Sequence, residues 1–178
     1  MKKFAAILMI LTMVLALCAC GNAETPNANQ NNNQNQGQNQ NTGKTTPEGY
    51  TFTYRDCQFG VDIIADAVLE KLGTPDDKAT SASCAFGGDD TTYYYGSIEI
   101  ATNNEDGYER IYNIYLKDDL VSTEEGICVG NTVEDVKSVY GDPSDKSTDA
   151  CLVYEKDSMT LSFTLADGVV TSVRYDDI

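Results

Sequence analysis

One segment of the sequence occurs twice, and this repetition constrains the fold more than any other feature. Residues 126–143 read GICVGNTVEDVKSVYGDP, and residues 57–75 read CQFGVDIIADAVLEKLGTP. Both segments are amphipathic and end in Gly-x-Pro, in which the glycine favours a left-handed helix cap and the proline cannot continue a helix. The chain is therefore predicted to be built twice, each time starting with a helix of about three turns.

Polar residues mark where the two helices should begin. Thr132 precedes Asp135 by three residues, which is the spacing of a capping box, where a hydroxyl and a carboxylate bond the free N–H groups of the first turn. Asp62 is the candidate N-cap of the earlier helix. The apolar stripe of that helix should start at Ile64 and continue to Leu72.

Alternating apolar and polar residues follow each helix and predict antiparallel strands. The runs lie at 81–86, 93–101 and 108–117 in the first unit and at 151–155, 159–165 and 169–175 in the second. Asp106-Gly107 and Asp167-Gly168 are two-residue hairpin signals, because both positions favour positive φ.

The predicted fold class is α+β: a tandem repeat of a helix followed by three or four antiparallel strands, with the helices packed on the sheet. The first repeat is assigned to residues 49–119 and the second to 120–178. Units of about 60 residues bury only a modest fraction of their surface, so the two are expected to share a sheet or to pack closely.

The first nineteen residues, 1–19, have the order of a secretory signal: two lysines, an apolar run and small residues. The run is short for a membrane span, which needs about 20 apolar residues. The ending Leu17-Cys18-Ala19-Cys20-Gly21 resembles the lipobox of bacterial lipoproteins, which implies that Cys20 carries a diacylglyceryl group and anchors the protein on the extracytoplasmic side of the cell membrane. Cys18 is a weaker candidate because it follows a large residue, and an ordinary cleaved signal is the alternative.

Residues 20–48 are predicted to be the lipidated cysteine and a disordered tether. The stretch is nearly all Asn, Gln, Gly and Thr, a composition that cannot offset the entropy of ordering. A flexible coil of this length spans roughly 30 Å, enough to hold a folded domain clear of the lipid headgroups.

The formal net charge of −16 makes nucleic acid an unsuitable partner. A polyanion is repelled by such a surface, and the sequence holds no basic stripe to reverse this. High acidity also keeps an exported protein soluble, which is the simpler reading of the charge.

Four cysteines follow the signal: Cys57, Cys84, Cys128 and Cys151. An even number in an exported chain favours disulfides, and the repeat predicts Cys57 with Cys84 and Cys128 with Cys151. Each bridge would stabilise the fold by about 3 kcal/mol through loop closure. Free thiols in an anaerobic habitat are the alternative, whereas a zinc site is disfavoured because histidine is absent and no Cys-x-x-Cys pair follows the signal.

No catalytic constellation stands out in the sequence, so no enzyme activity and no cofactor are predicted. Histidine, the usual base near neutral pH, is absent. Acidic pairs such as Asp89-Asp90 and Asp118-Asp119 are typical of solvated turns. The acidic stretches at 103–107 and 144–149 lack the ligand spacing of a calcium loop, and no metal site is assigned.

Tyrosines are the most suggestive residues for binding. Reading 93–101 as one strand with Ile98 and Ile100 facing inward places Tyr93, Tyr95 and Glu99 on the outer face. On the neighbouring strand, Asn113 and Tyr115 face the same way. These five residues form the predicted binding face, because exposed tyrosines are enriched at protein interfaces. The alternative is that the tyrosines are covered and belong to the core.

The paired helix-and-strand units and the segment at 123–141 carry a resemblance. The chain resembles the β-lactamase inhibitor proteins, and also Gram-positive lipoproteins with the motif Thr-x-x-Gly-Ile-x-Val-Gly-x-Thr-x-x-Asp-Val-x-x-x-Tyr-Gly. The resemblance implies a tandem-repeat fold with a concave sheet face that grips another protein through aromatic residues. The acidic hairpin that enters the partner's active site in those inhibitors matches no position here, so inhibition of a β-lactamase is not implied.

The function predicted from the sequence is therefore a non-catalytic, lipid-anchored module that binds a protein or peptide through a tyrosine-rich sheet face. The alternative is an extracytoplasmic sensor or carrier that holds a small ligand between the two repeats. A deep apolar pocket between the repeats would favour the alternative, and an exposed sheet with clustered tyrosines would favour the binding module.

Overall fold

A computed structural model describes residues 43–178. The predicted signal peptide, the predicted lipidation site at Cys20 and most of the predicted tether lie outside these residues. The described chain forms ten strands and two helices, which are, in chain order, β1 Phe52–Tyr54, β2 Cys57–Phe59, β3 Ile63–Ile64, α1 Asp66–Leu72, β4 Asp77–Ala82, β5 Asp89–Tyr95, β6 Ile98–Asn103, β7 Arg110–Leu116, α2 Val133–Tyr140, β8 Cys151–Lys156, β9 Met159–Ala166 and β10 Val169–Asp177.

Seven of the strands form one continuous antiparallel sheet in the order β4-β5-β6-β7-β10-β9-β8. The junction lies between β7 and β10, where Leu116 pairs with Val173 and Tyr115 pairs with Arg174. Strand β3 pairs with the start of β7, and β1 and β2 form a separate hairpin. The strands before and after the 117–132 connection therefore belong to a single sheet.

The hydrophobic core covers one face of this sheet. The β1–β2 hairpin packs here, since Phe52 is fully buried and its ring lies 5.9 Å from that of Tyr175. The hydroxyl groups of Tyr95 and Tyr154, on the same face, donate to the carbonyl oxygens of Gly73 and Gly141, each at 3.1 Å. These two bonds fix the C-terminal ends of α1 and α2 on the core face.

The predicted α+β class is wrong, because the described chain is predominantly β. Its helices hold only seven and eight residues, about two turns each. Ile64, predicted to start the apolar stripe of the first helix, instead belongs to β3, which pairs with β7, and α1 begins only at Asp66. One large sheet, rather than a tandem pair of helix-on-sheet units, organises the molecule.

The first half also departs locally from the pattern. Asp62 does not cap α1; it has a φ of 56° and binds Arg110 at 2.9 Å. The strand predicted at 81–86 lies earlier, in β4, and 104–109 forms a longer connection than a two-residue hairpin.

Local signals in the second half are confirmed. The Thr132 hydroxyl accepts from the N–H of Asp135 at 3.2 Å, and the Asp135 carboxylate accepts from the N–H of Thr132 at 2.8 Å, which completes the capping box of α2. Asp167 and Gly168 both have positive φ, 52° and 79°, and turn β9 into β10. Neither helix of the described region has the length and apolarity to cross a bilayer.

Candidate binding surface on the open face of the sheet

The face of the sheet opposite the core carries a row of polar and aromatic side chains. Residues that pair across antiparallel strands point to the same side of a sheet. The pairings place six side chains in one line across six strands: Tyr94, Glu99, Tyr115, Arg174, Ser162 and Val153. We call this side of the sheet the open face.

The side chains of this row are partly exposed to solvent, and contacts with neighbouring residues restrict their mobility. Tyr94 and Tyr115 are half-buried, and Glu99 and Arg174 expose 29% and 49% of their side chains. The ammonium group of Lys117 lies 3.5 Å from Glu99 and 5.8 Å from the centre of the Tyr94 ring. The cation thus holds both neighbours in place while their outer surfaces remain available.

A second row runs beside the first. Asn113 pairs with Asp176 and donates to its carboxylate at 2.8 Å, and Arg174 donates to the same oxygen at 2.7 Å. The resulting triad ties the two rows together over the β7–β10 junction. The centre of the open face is therefore an ordered polar surface flanked by tyrosines.

The orientation predicted for Tyr93 and Tyr95 is wrong. Both side chains are core, with 6% and 0% exposure. The 93–101 segment is not one strand, because Gly96 adopts a φ of 56° and begins a tight turn. Tyr95 pairs with Ile98 across this turn and shares its inward face.

The buried side chain of Tyr93 is held by two hydrogen bonds. Its hydroxyl donates to Glu109 at 2.6 Å and accepts from Lys78 at 3.0 Å. Desolvation, reinforced by the bond to Glu109, raises the pKa of Tyr93 well above its usual value. This tyrosine therefore stabilises the first half of the sheet from within and is not part of an outward surface.

The structure places the other three members of the predicted face, Glu99, Asn113 and Tyr115, on the open face. Tyr94 and Tyr112 were missed. Tyr94 could have been found from the Gly96-Ser97 pair between two β-rich runs, which is a hairpin signal. Tyr112 could not have been found from the sequence pattern. It reaches the open face because the β6–β7 register shifts between Ala101 and Thr102, which leaves Tyr112 without a partner in the pairing.

No disulfide joins any two of the four cysteines in the described residues. Cys57 is buried, Cys84 is exposed in the β4–β5 connection, and Cys128 and Cys151 are half-buried. Burial raises the pKa of the Cys57 and Cys151 thiols. The two bridges expected from the sequence stay predictions.

Two cavities stand out in the described chain. The first, which we call the end pocket, has a volume of about 100 Å³ and lies where Phe86, Tyr108 and Tyr112 meet. The second, of about 410 Å³, lies between Val133 of α2 and Leu152 of β8. The second cavity is lined only by residues after 132, so it does not correspond to the ligand site expected between the repeats.

Within residues 43–178 no three Cys, Asp or Glu side chains converge as a metal-binding group would. Comparison of the chain with protein-family models, with curated proteins and with solved structures found no match. The open face and the end pocket are therefore the features of the described chain from which its function can be inferred.

Proposed function

We propose that this protein is a lipid-anchored, extracytoplasmic module that binds another protein or a peptide through the open face of its sheet. The observation that carries the proposal is the row in which Tyr94, Glu99, Tyr115 and Arg174 lie on the neighbouring strands β5, β6, β7 and β10. The anchor is proposed from the lipobox-like sequence that ends in Cys20.

The chemistry of the row suits protein recognition. Tyrosine and arginine are the residue types that contribute most binding energy at protein interfaces, because each offers a large contact area with a polar group. A sheet also keeps them at fixed spacing, so that little conformational entropy is lost on binding. Catalysis has no comparable support, because the chain contains no histidine base.

Site-specific photocrosslinking on intact cells that produce the protein tests this proposal. Photoreactive p-benzoyl-phenylalanine is placed at position 94 or 115 on the open face, and at position 120 or 139 as matched controls. Leu120 and Val139 are 79% and 43% exposed but lie in the connection and on α2. The proposal predicts one shared crosslinked product from positions 94 and 115 that is absent from both controls.

Two results would contradict the proposal. One is the absence of any product from positions 94 and 115. The other is the same set of products from all four positions, which would indicate nonspecific collision with neighbouring envelope proteins.

A further inference from the structure

The end pocket lies where the sheet ends in the β4–β5 and β6–β7 connections. Phe86 and Tyr108 are unusually exposed for large aromatic residues, at 47% and 42%. The Phe86 ring lies 5.4 Å from that of Tyr112, with 58° between their planes. Three aromatic side chains thus surround a space of about 100 Å³, well below the roughly 300–1,000 Å³ of small-molecule sites.

Charged side chains complete the lining. Arg110 is already engaged, because its guanidinium binds Asp62 at 2.9 Å and Asp106 at 3.5 Å. Glu105 and Asp177 also line the pocket, and neither forms a salt bridge in the described region. The pocket therefore combines aromatic walls with two carboxylates that form no salt bridge in the described region.

The surroundings of Asp177 disfavour its ionised form. Although the residue as a whole is exposed, neighbouring side chains desolvate its carboxyl group, and Asp62 adds repulsion. Both effects raise the pKa of Asp177, while the N–H of Ile178, which donates to the carboxylate at 3.1 Å, and the charges of Arg110 and Lys44 oppose them. A cation placed in the pocket would favour the ionised carboxylate.

We propose that the end pocket seats a single lysine or arginine side chain of the partner polypeptide, held between the aromatic rings and the carboxylates of Glu105 and Asp177. An ammonium or guanidinium group is attracted both to the faces of aromatic rings and to carboxylates. The volume suits one side chain as an anchor and not a complete small ligand. This inference depends on the proposed function and names the partner's chemistry.

The surroundings favour a basic polypeptide over a free amine. Tyr112 connects the pocket to the open face, because it lies on β7 with Tyr115. Carboxylates outnumber cations on that face: Asp77, Asp90, Glu99, Glu155 and Asp176 against Lys117, Arg174 and Lys146, which forms a salt bridge with Glu155. A partner that spans the face and the pocket would meet a net negative charge, which favours a basic binding surface.

Nuclear magnetic resonance titration of the folded chain tests the pocket with defined probes. The probes are the blocked amino acids Nα-acetyl-lysine methylamide, Nα-acetyl-arginine methylamide and, as a neutral control of similar shape, Nα-acetyl-norleucine methylamide. The lysine or arginine probe should give saturable shifts centred on Phe86, Tyr108 and Tyr112, with a dissociation constant on the order of millimolar. The norleucine probe should not.

Variants distinguish the pocket from general surface acidity. Asp177→Asn and Phe86→Ser should each weaken probe binding about tenfold or more, whereas Asp149→Asn, which removes an exposed carboxylate beside the second cavity, should not. Because the ionised carboxylate binds the cation, affinity should rise with pH through the raised pKa of Asp177. Unchanged thermal midpoints confirm that the variants fold.

Several outcomes would overturn the inference: equal shifts with norleucine, no saturable shift, or shifts that survive both pocket variants. Shifts that appear on raising the protein concentration alone would show that a second copy fills the pocket, and would also overturn it. If crosslinking from positions 94 and 115 identifies a partner whose binding is insensitive to Asp177→Asn and Phe86→Ser, the proposed function survives and the anchor pocket fails.

Discussion

Tyr115 of β7 lies directly opposite Arg174 of β10, at the point where the strands that precede α2 meet those that follow it. This pair belongs to the β7–β10 pairing that makes the sheet continuous, and it brings a tyrosine of the first half beside the arginine of the second half. Neither half alone would present this combination. The candidate surface is therefore a property of the joined sheet.

The two faces of β5 should respond oppositely to substitution. Tyr95 is fully buried, and its hydroxyl holds the Gly73 carbonyl at the end of α1. Tyr95→Phe should lower the free energy of unfolding by about 1 kcal/mol through the lost hydrogen bond. Tyr95→Ser should cost roughly 3–5 kcal/mol, because it also leaves a cavity.

Tyr94→Ser is the matched control in urea denaturation. It removes a half-buried side chain from the open face and should change the free energy of unfolding by only about 0.5 kcal/mol. Similar losses for Tyr94→Ser and Tyr95→Ser would show that the assignment of the two faces is incorrect.

The same strand shows why sequence patterns could not settle the surface. Alternation correctly places Ile98 and Ile100 in the core. If the same alternation is extended backwards through Gly96, Tyr93 and Tyr95 are assigned to the opposite, outer face. Because a two-residue turn makes Tyr95 pair with Ile98, the parity must restart there. One unrecognised turn therefore exchanges the inner and outer tyrosines.

The capping box of α2 should make part of the stability depend on pH. The N–H and hydroxyl groups of Thr132 bond to the Asp135 carboxylate and lower its pKa. A lowered folded-state pKa means that this contribution is present above the ordinary aspartate value of about 4 and is lost as pH falls through the folded-state value. As pH is lowered from 6, the thermal midpoint of Asp135→Asn should fall less steeply than that of the unmodified chain.

Removal of the capping hydroxyl gives a second measure of the same motif. Thr132→Ala should cost about 1 kcal/mol of unfolding free energy at pH 7. Ser138→Ala on the exposed side of α2 serves as the control. A Thr132→Ala loss no larger than that of Ser138→Ala would show that the box contributes nothing measurable.

Short-range signals predicted the second half well, because the capping box and the Asp167-Gly168 turn are encoded by adjacent residues. Apart from the missed turn at Gly96, long-range contacts explain the errors in the first half. Asp62 is drawn away from a capping role by Lys44 and Arg110, which bind it at 3.0 and 2.9 Å. The pairing of β7 with β10 likewise joins segments more than fifty residues apart, and no local pattern reveals it.

The cysteines should differ sharply in reactivity in the reduced, folded protein. Cys84 is exposed, whereas Cys57 is buried and its thiol pKa is raised. Because the thiolate is the reactive form, a thiol-specific reagent should modify Cys84 first and Cys57 only after unfolding. Mass spectrometry of timed digests measures this order, and a non-reduced digest of the native protein tests the Cys57–Cys84 and Cys128–Cys151 bridges.

The affinity for the crosslinked partner tests the central claim most directly. Isothermal titration calorimetry measures the dissociation constant of the purified partner for three proteins. These are the unmodified chain, the double variant Tyr94→Ser with Tyr115→Ser, and the control Val139→Ser on α2. The open-face account predicts a dissociation constant at least about tenfold weaker for the double variant, with no change for the control. An unchanged affinity in a folded double variant, or an equal loss in the control, would contradict it.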